Sequence, residues 1–227
     1  MEGADVRWSA NDALGIFSGT KFVNAKFTTK DDNAASATFT GDATDAEGTE
    51  AAKAFAYYPY AAGATLEGTT VSGLEIPAVQ TFAEGTFATT LNPMAAVGED
   101  HTSLAFRSVG AVLRFKLTGT DTFNKLILTG NNDESIAGAY ALDFSGEVPA
   151  MTFSGEGKSI TVTCASDVTL KTDVATEVHF VVPAGIEFTK GVSLKIVHSY
   201  YSWDAGDVNK GEFYQFNLSS CIRQQNS

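Results

Sequence analysis

The chain has 227 residues, of which 44% are hydrophobic and 19% are charged, a balance that is typical of a folded protein and excludes a disordered one. Its 27 acidic and 15 basic residues give a net charge of -12 at pH 7, which excludes a nucleic-acid-binding protein because no basic stripe is present to meet phosphate. No apolar run reaches the ~18–20 residues that a membrane-spanning helix needs. Residues 1–5 are neither basic nor apolar, so the sequence predicts no signal peptide within the printed chain.

Apolar and polar residues alternate with a period of two along most of the chain, which predicts half-buried antiparallel strands. In chain order, these runs lie near residues 22–27, 35–40, 53–58, 71–76, 111–118, 158–164, 177–182, 192–197 and 213–218. Clusters of glycine, asparagine and aspartate separate them and predict turns. The segment 88–96 could form one helical turn, which Pro93 would limit. Many short strands at spacings of about 8–15 residues predict an all-β fold built as a β-sandwich.

An aromatic run, FAYYPY, stands out in the first half of the chain. In a strand, Phe55 and Tyr57 would point to one face. Tyr58 and Tyr60 would point to the other, so we expect a strand that is covered on both sides or that enters a packed rim. Pro59 donates no amide hydrogen, so sheet pairing should stop there or lie at an edge.

The segment 97–102 is polar and flexible, and a new alternating series begins just after it. It predicts a boundary between an N-terminal domain, residues 1–101, and a C-terminal domain, residues 102–227. The two halves show no close sequence repeat, although sandwich folds recur without sequence similarity.

Two cysteines are present, and neither belongs to a CxxC pair. Cys164 follows Ile160 and Val162 at period two, which predicts a buried thiol that acts as a small hydrophobic side chain. A disulfide to Cys221 is the alternative, and it would require an exported protein.

The motifs of common enzymes and metal sites do not occur in the sequence. The three histidines lack any metal-ligand spacing, and the turn at 131–133 has Ile136 where a calcium loop needs glycine. No nucleophile elbow or glycine-rich phosphate loop is present, and nothing singles out a pair of carboxylates. We therefore expect no catalytic residue, no metal site and no cofactor.

A second aromatic cluster precedes the last predicted strand. The sequence predicts a loop for Tyr200, Tyr201 and Trp203, where exposed rings could stack on a sugar. The alternative is that these rings cap one end of the sandwich.

Six segments resemble, in the same order, motifs of the fimbrillin-like proteins, and the match spans nearly the whole chain. They are residues 8–17 (WSANDALGIF), 56–60 (AYYPY), 76–80 (IPAVQ), 93–96 (PMAA), 104–107 with 111–115 (LAFR and AVLRF), and 181–185 (VVPAG).

The resemblance implies two tandem transthyretin-like β-sandwich domains, the first of which would lack its first strand here. It implies a lipid-anchored precursor, attached through a missing N-terminal segment to the outer membrane of a Gram-negative bacterium, that builds type V pili with other fimbrial subunits. In that family a trypsin-like protease removes the first strand, and a neighbouring subunit then donates a strand to the empty groove. Arg7 is the one basic residue before the Trp8 motif, so it is either a processing site or an ordinary surface arginine.

The end of the chain departs from this pattern. The segment 219–227 is short and polar, and it alternates poorly as a donor strand. Either the last strand itself is exchanged, or the chain is an accessory or tip subunit, or it is a non-polymerising surface lipoprotein that binds carbohydrate or another host ligand. A cell-surface hydrolase is the third hypothesis for the function of the chain.

Overall fold

Strands make up the regular structure of the residues that can be described. The computed structural model describes residues 6–41 and 47–197, together with the backbone of the strand Phe213–Phe216. The strands are β1 (Ala13–Ser18), β2 (Phe22–Thr29), β3 (Phe39–Gly41), β4 (Ala54–Tyr58), β5 (Thr65–Glu67), β6 (Thr70–Ile76), β7 (Val79–Ala83), β8 (Thr86–Phe87), β9 (Met94–Gly98), β10 (Arg107–Ser108), β11 (Gly110–Leu117), β12 (Thr122–Gly130), β13 (Gly138–Asp143), β14 (Ala150–Phe153), β15 (Ser159–Thr169), β16 (Thr176–Pro183), β17 (Val192–Val197) and β18 (Phe213–Phe216). The residues described include no helix able to cross a bilayer. The predicted all-β class is confirmed.

These strands form four sheets. The first sheet has the order β10-β9-β4-β1-β2-β3, and all its neighbouring strands are antiparallel. A four-stranded sheet has the order β14-β13-β6-β5, and strands β11 and β16 form a separate antiparallel pair. The mixed sheet has the order β18-β17-β12-β15-β7-β8, in which β7 and β15 run parallel. Several antiparallel sheets around a shared core are consistent with a β-sandwich.

Strands from both sides of residue 101 pair with one another. Strand β6 is hydrogen-bonded to β13, and β7 is hydrogen-bonded to β15. A division of the chain at residues 101 and 102 would therefore cut through the four-stranded sheet and the mixed sheet. Parallel strands cannot be joined by a tight turn and need a long crossover connection, so a large sequence separation between β7 and β15 is expected.

The main core is built from the inward faces of these sheets. Alternation along β11 buries Leu113, Phe115 and Leu117, while Arg114 and Lys116 are exposed and lie 3.7 and 3.1 Å from the Glu177 carboxylate. The rings of Phe115 and Phe180 meet edge to face at 5.7 Å. The alternation predicted for β11 and β17 is confirmed, whereas in β16 Val181 is buried as well as Val178, Phe180 and Val182.

Gln80 joins β7 to β16 through its side chain. Its amide nitrogen donates to the Val181 carbonyl oxygen at 2.7 Å, and its amide oxygen accepts from the Val181 N–H at 3.0 Å. The side-chain amide thereby reproduces a pair of sheet hydrogen bonds, and Gln80 is only 1% exposed. Two of the six family-like segments, IPAVQ and VVPAG, thus meet at this contact.

Other predicted features were found in modified form. Near the run predicted at 35–40, strand β3 comprises only Phe39–Gly41. In the segment 88–96, where one helical turn is an option from the sequence, strand β9 begins at Met94. Cys164 is half-buried and packs against the main core, and burial raises the pKa of its thiol to about 11. Its possible partner Cys221 lies outside the described residues.

Candidate binding clefts on the first sheet

Strand β4 is packed on both faces, as its aromatic residues predict. Phe55 and Tyr57 lie on the inner face of the first sheet, within the main core. Tyr58 lies on the outer face, in a second apolar cluster. The strand ends at Tyr58, directly before Pro59, which confirms the expected end of pairing.

Tyr57 is fixed by a small polar network below the inner face. Its hydroxyl donates to the Asn24 side-chain oxygen at 2.6 Å and accepts from the Ala61 N–H at 3.3 Å. Burial raises the pKa of Tyr57 to about 12. The ring lies against the backbone of Gly15, where any Cβ atom would collide with it. The glycine of the WSANDALGIF segment is therefore required by close packing.

The outer face of the first sheet is apolar, and among the described residues little regular structure lies over it. Its buried members are Leu14, Ile16, Phe22, Ala25, Phe27, Ala54, Ala56, Tyr58, Met94 and Ala96. Among the described residues, the side chains packed against them are Val6, Trp8, Phe39, Leu104 and Phe106. Of these five, only Phe39 belongs to one of the strands. This face is covered mainly by irregular chain, where a complete sandwich would have a second sheet.

Trp8 is the centre of this covering layer. Its ring meets Phe39, Tyr58 and Phe106 edge to face, at centroid distances of 4.9, 5.3 and 5.3 Å. Two backbone hydrogen bonds with Ala34 hold the tryptophan in place, at 2.8 and 3.1 Å. We refer to residues 6–9 as the N-terminal strap.

The larger opening, which we call the main cleft, has a volume of about 580 Å3. Leu14, Ile16 and Phe27 contribute its apolar floor from β1 and β2. Its walls are the N-terminal strap, residues 35–39 and residues 101–106.

A polar cluster anchors one wall of the main cleft. The Glu50 carboxylate lies 2.8 Å from Nδ1 of His101 and 3.4 Å from Nζ of Lys21. The hydrogen bond to His101 is the main reason why the pKa of Glu50 is lowered. The imidazole also packs against Phe22, with ring centroids 4.7 Å apart. Residues 101–106 are therefore held at their start by a polar and an aromatic contact together.

A smaller opening, which we call the side cleft, is also lined by the N-terminal strap and has a volume of about 320 Å3. A hydrogen-bonded chain crosses its floor. The Thr90 N–H donates to the Tyr58 hydroxyl at 2.8 Å, and that hydroxyl donates to Oδ1 of Asp12 at 2.7 Å. Oδ2 of Asp12 accepts from the Ser9 N–H at 2.8 Å. The relay of these four residues links the two walls of the side cleft.

We expect Tyr58→Phe to lower the free energy of unfolding by about 2–4 kcal/mol, because it leaves the Asp12 carboxylate and the Thr90 N–H without this partner. Asp12 is only 4% exposed, so water cannot readily replace the hydroxyl. Urea unfolding would measure the effect. Tyr60→Phe is the matched control: Tyr60 is half-buried under the Lys26 ammonium, a contact that phenylalanine keeps, and we expect a change within about 0.5 kcal/mol. Equal losses in both variants would contradict the relay.

Of the site residues predicted from the sequence, Arg7 belongs to the described part of the chain and the three aromatic residues do not. Arg7 is exposed, lines both clefts, and donates from Nη1 to the Asn33 carbonyl oxygen at 3.2 Å. Tyr200, Tyr201 and Trp203 lie outside the described residues. In the part of the chain that is described, no group of three or more His, Cys, Asp or Glu side chains is arranged to hold a metal ion.

Sequence reasoning did not identify Trp8, Asp12 and Tyr58 as site residues. They were noted within family-like segments, and the spacing of Trp8 and Asp12 was a usable signal. Their convergence with Tyr58 depends on the pairing of β1 with β4, which no local pattern reveals. In comparisons with known proteins, no family model, no curated protein and no solved structure matches the chain significantly.

Proposed function

We propose that this chain is a structural, adhesive protein of the bacterial cell surface, a fimbrial subunit or accessory subunit that assembles by donor-strand exchange. The observation that supports it best is the main cleft on the outer face of the first sheet, a face that mainly irregular segments cover among the described residues. Buried Leu14, Ile16 and Phe27 lie at the floor of the main cleft, and mainly irregular segments stand where a second layer of strands would complete a sandwich. A strand from a neighbouring subunit would fill such a cleft with alternate side chains.

Residues 35–38 supply a backbone to which an incoming strand could pair. They continue the alternating pattern of 35–40, and they line the main cleft. Within the described part of the chain, the pairing of β3 with β2 begins only at Phe39. The Thr38 N–H already donates to Oδ2 of Asp31 at 2.7 Å, so the main-chain groups with which a donor strand could pair are mainly those of residues 35–37. The apolar cleft beside them would supply the side-chain pockets.

The proposal extends to the other properties of fimbrillin-like proteins. Two transthyretin-like sandwiches, other fimbrial subunits as partners, and a lipid anchor at the outer membrane of a Gram-negative bacterium belong to it. In such a two-sandwich arrangement, strands β5–β8 of the first half would belong to sheets that also contain strands of the second half. Arg7 suits a processing site because it is exposed at the start of the strap that crosses the outer face.

Digestion of the precursor tests the proposal. We would treat the precursor, carrying the upstream segment that the resemblance implies, with an arginine-specific protease and analyse the product without boiling on a denaturing gel. A ladder of detergent-resistant multimers is expected, and Arg7→Lys should abolish it because this protease does not cleave after lysine. A single monomer band after complete cleavage would overturn strand exchange and favour a non-polymerising surface protein that binds carbohydrate or another host ligand.

A pair of alanine variants tests the main cleft itself. Ala37→Trp places a large ring at the wall of the cleft and should shorten or abolish the ladder. Ala52→Trp is the control, because Ala52 is exposed and does not line the cleft. Ladders of equal length from both variants would place the accepting site elsewhere.

A further inference from the structure

We propose that the side cleft binds a single pyranose ring of a carbohydrate. This inference does not depend on strand exchange, and its site is built from residues other than Tyr200, Tyr201 and Trp203. It rests on three observations: the chemistry of the cleft lining, the relay that fixes its floor, and strained backbone in its walls.

The lining combines hydroxyl and amide groups with aromatic surface. Thr86, Thr89, Thr90 and the amide of Asn33 supply groups that can both donate and accept hydrogen bonds, as sugar hydroxyls require. Within the described residues, none of these four side chains is hydrogen-bonded to another part of the protein. All four are exposed, so a ligand can reach them.

Apolar surface faces the same space. Trp8 and Phe87 both line the side cleft and are half-buried, so part of each ring remains accessible. A pyranose carries an apolar C–H face as well as a polar hydroxyl rim, and aromatic rings cover apolar ligand faces well. The guanidinium of Arg7, tethered to the Asn33 carbonyl, adds donors at the lip. The volume of about 320 Å3 lies at the lower end of the ~300–1,000 Å3 that small-molecule sites occupy, which suits one sugar ring.

The walls of the side cleft hold strained backbone. Thr90 has a φ of 66° and Asn33 a φ of 50°. A positive φ is a genuine outlier for a β-branched residue, and such strain is typical of ligand clamps. Thr90 is kept in this conformation by its bond to Tyr58, which continues through Asp12 to Ser9 on the opposite wall. The site is therefore preorganised, and binding needs little ordering of the protein.

Glycan binding by the full chain tests the site. We would screen the purified protein on a glycan array and measure hits by ligand-observed NMR with the corresponding methyl pyranosides, up to ~10 mM. The double variant Asn33→Gly/Thr89→Ala removes one amide and one hydroxyl, and glycine retains the positive φ at position 33. We expect at least one pyranoside to bind and its Kd to rise by about tenfold or more in the double variant, with an unchanged melting temperature.

Two single variants serve as controls. Thr152→Ala removes an exposed hydroxyl on β14, remote from the cleft in the sheet order, and should leave the Kd unchanged. Trp203→Ala should leave it unchanged as well. Absence of binding to any glycan would overturn the proposal. Binding that is unchanged in the double variant would overturn it as well, whatever the effect of Trp203→Ala.

Discussion

Phe115→Asp is expected to unfold the part of the chain that is built on the β11–β16 pair. Phe115 is 3% exposed and packs edge to face against Phe180. Loss of a buried phenylalanine ring costs about 3–5 kcal/mol by itself. An unpaired carboxylate in the same apolar site adds several more, against a total stability of about 5–15 kcal/mol for a typical domain. Circular dichroism should show a lost or strongly shifted thermal transition.

Thr118→Asp introduces the same residue three positions later, at an exposed site just beyond the end of β11. We expect its melting curve to overlay that of the wild type. A normal melt for Phe115→Asp would contradict the assignment of the buried face of β11. An equally damaging Thr118→Asp would show that the added negative charge, rather than the core position, is responsible.

Gln80→Ala is expected to lower the free energy of unfolding by about 3–5 kcal/mol. The substitution leaves the N–H and the C=O of Val181 without their partners in a buried position, and each unsatisfied group costs about 1–3 kcal/mol. Urea unfolding provides the measurement. Val79→Ala is a suitable control, because Val79 precedes Gln80 in β7 and is 63% exposed. A loss below about 1 kcal/mol for Gln80→Ala would indicate that water satisfies Val181.

Gln80→Glu adds a dependence on pH to the same test. The carboxylate can still accept from the Val181 N–H but faces the Val181 carbonyl without a proton, whereas the protonated acid can make both bonds. Burial should therefore hold the pKa of this residue above the ordinary glutamate value of about 4.3. Because the folded-state pKa is raised, the stabilisation is fully present below about pH 4.3 and is lost as the pH rises through the folded-state pKa. The variant should approach wild-type stability on acidification, while Gln80→Ala should show no such recovery.

The sequence predicts most reliably those strands whose pattern is unbroken. Strand β17 and residues 113–117 of β11 alternate without interruption, and their buried faces follow directly. In β16, residues 180–183 are all buried, so the pattern of its second half does not give one buried face. Strand β12 was missed because a register shift between Phe123 and Lys125 brings Phe123 and Leu126, three residues apart, into the same core. A bulge removes the period-two signal at the position where it occurs.

Pairing between distant strands could not be predicted for a different reason. Nothing local in IPAVQ indicates that β7 lies parallel to β15 or that the Gln80 amide reaches Val181. The same holds for the clefts. Trp8 and Tyr58 lie in segments that the sequence singles out, but they are 50 residues apart in the chain. Only the folded arrangement of the strands brings their rings into contact.

The pairing of β6 with β13 and of β7 with β15 determines how late during synthesis these strands can complete their sheets. When the first hundred residues have been synthesised, β6 and β7 still lack the partners β13 and β15, which begin about 40 and about 60 residues later, and their exposed edges invite pairing with other chains. We therefore expect a nascent chain that ends near residue 101 to engage holding chaperones rather than to fold by itself. Long-range β pairing also makes folding slow, so the delay between synthesis and completion is a property of this topology.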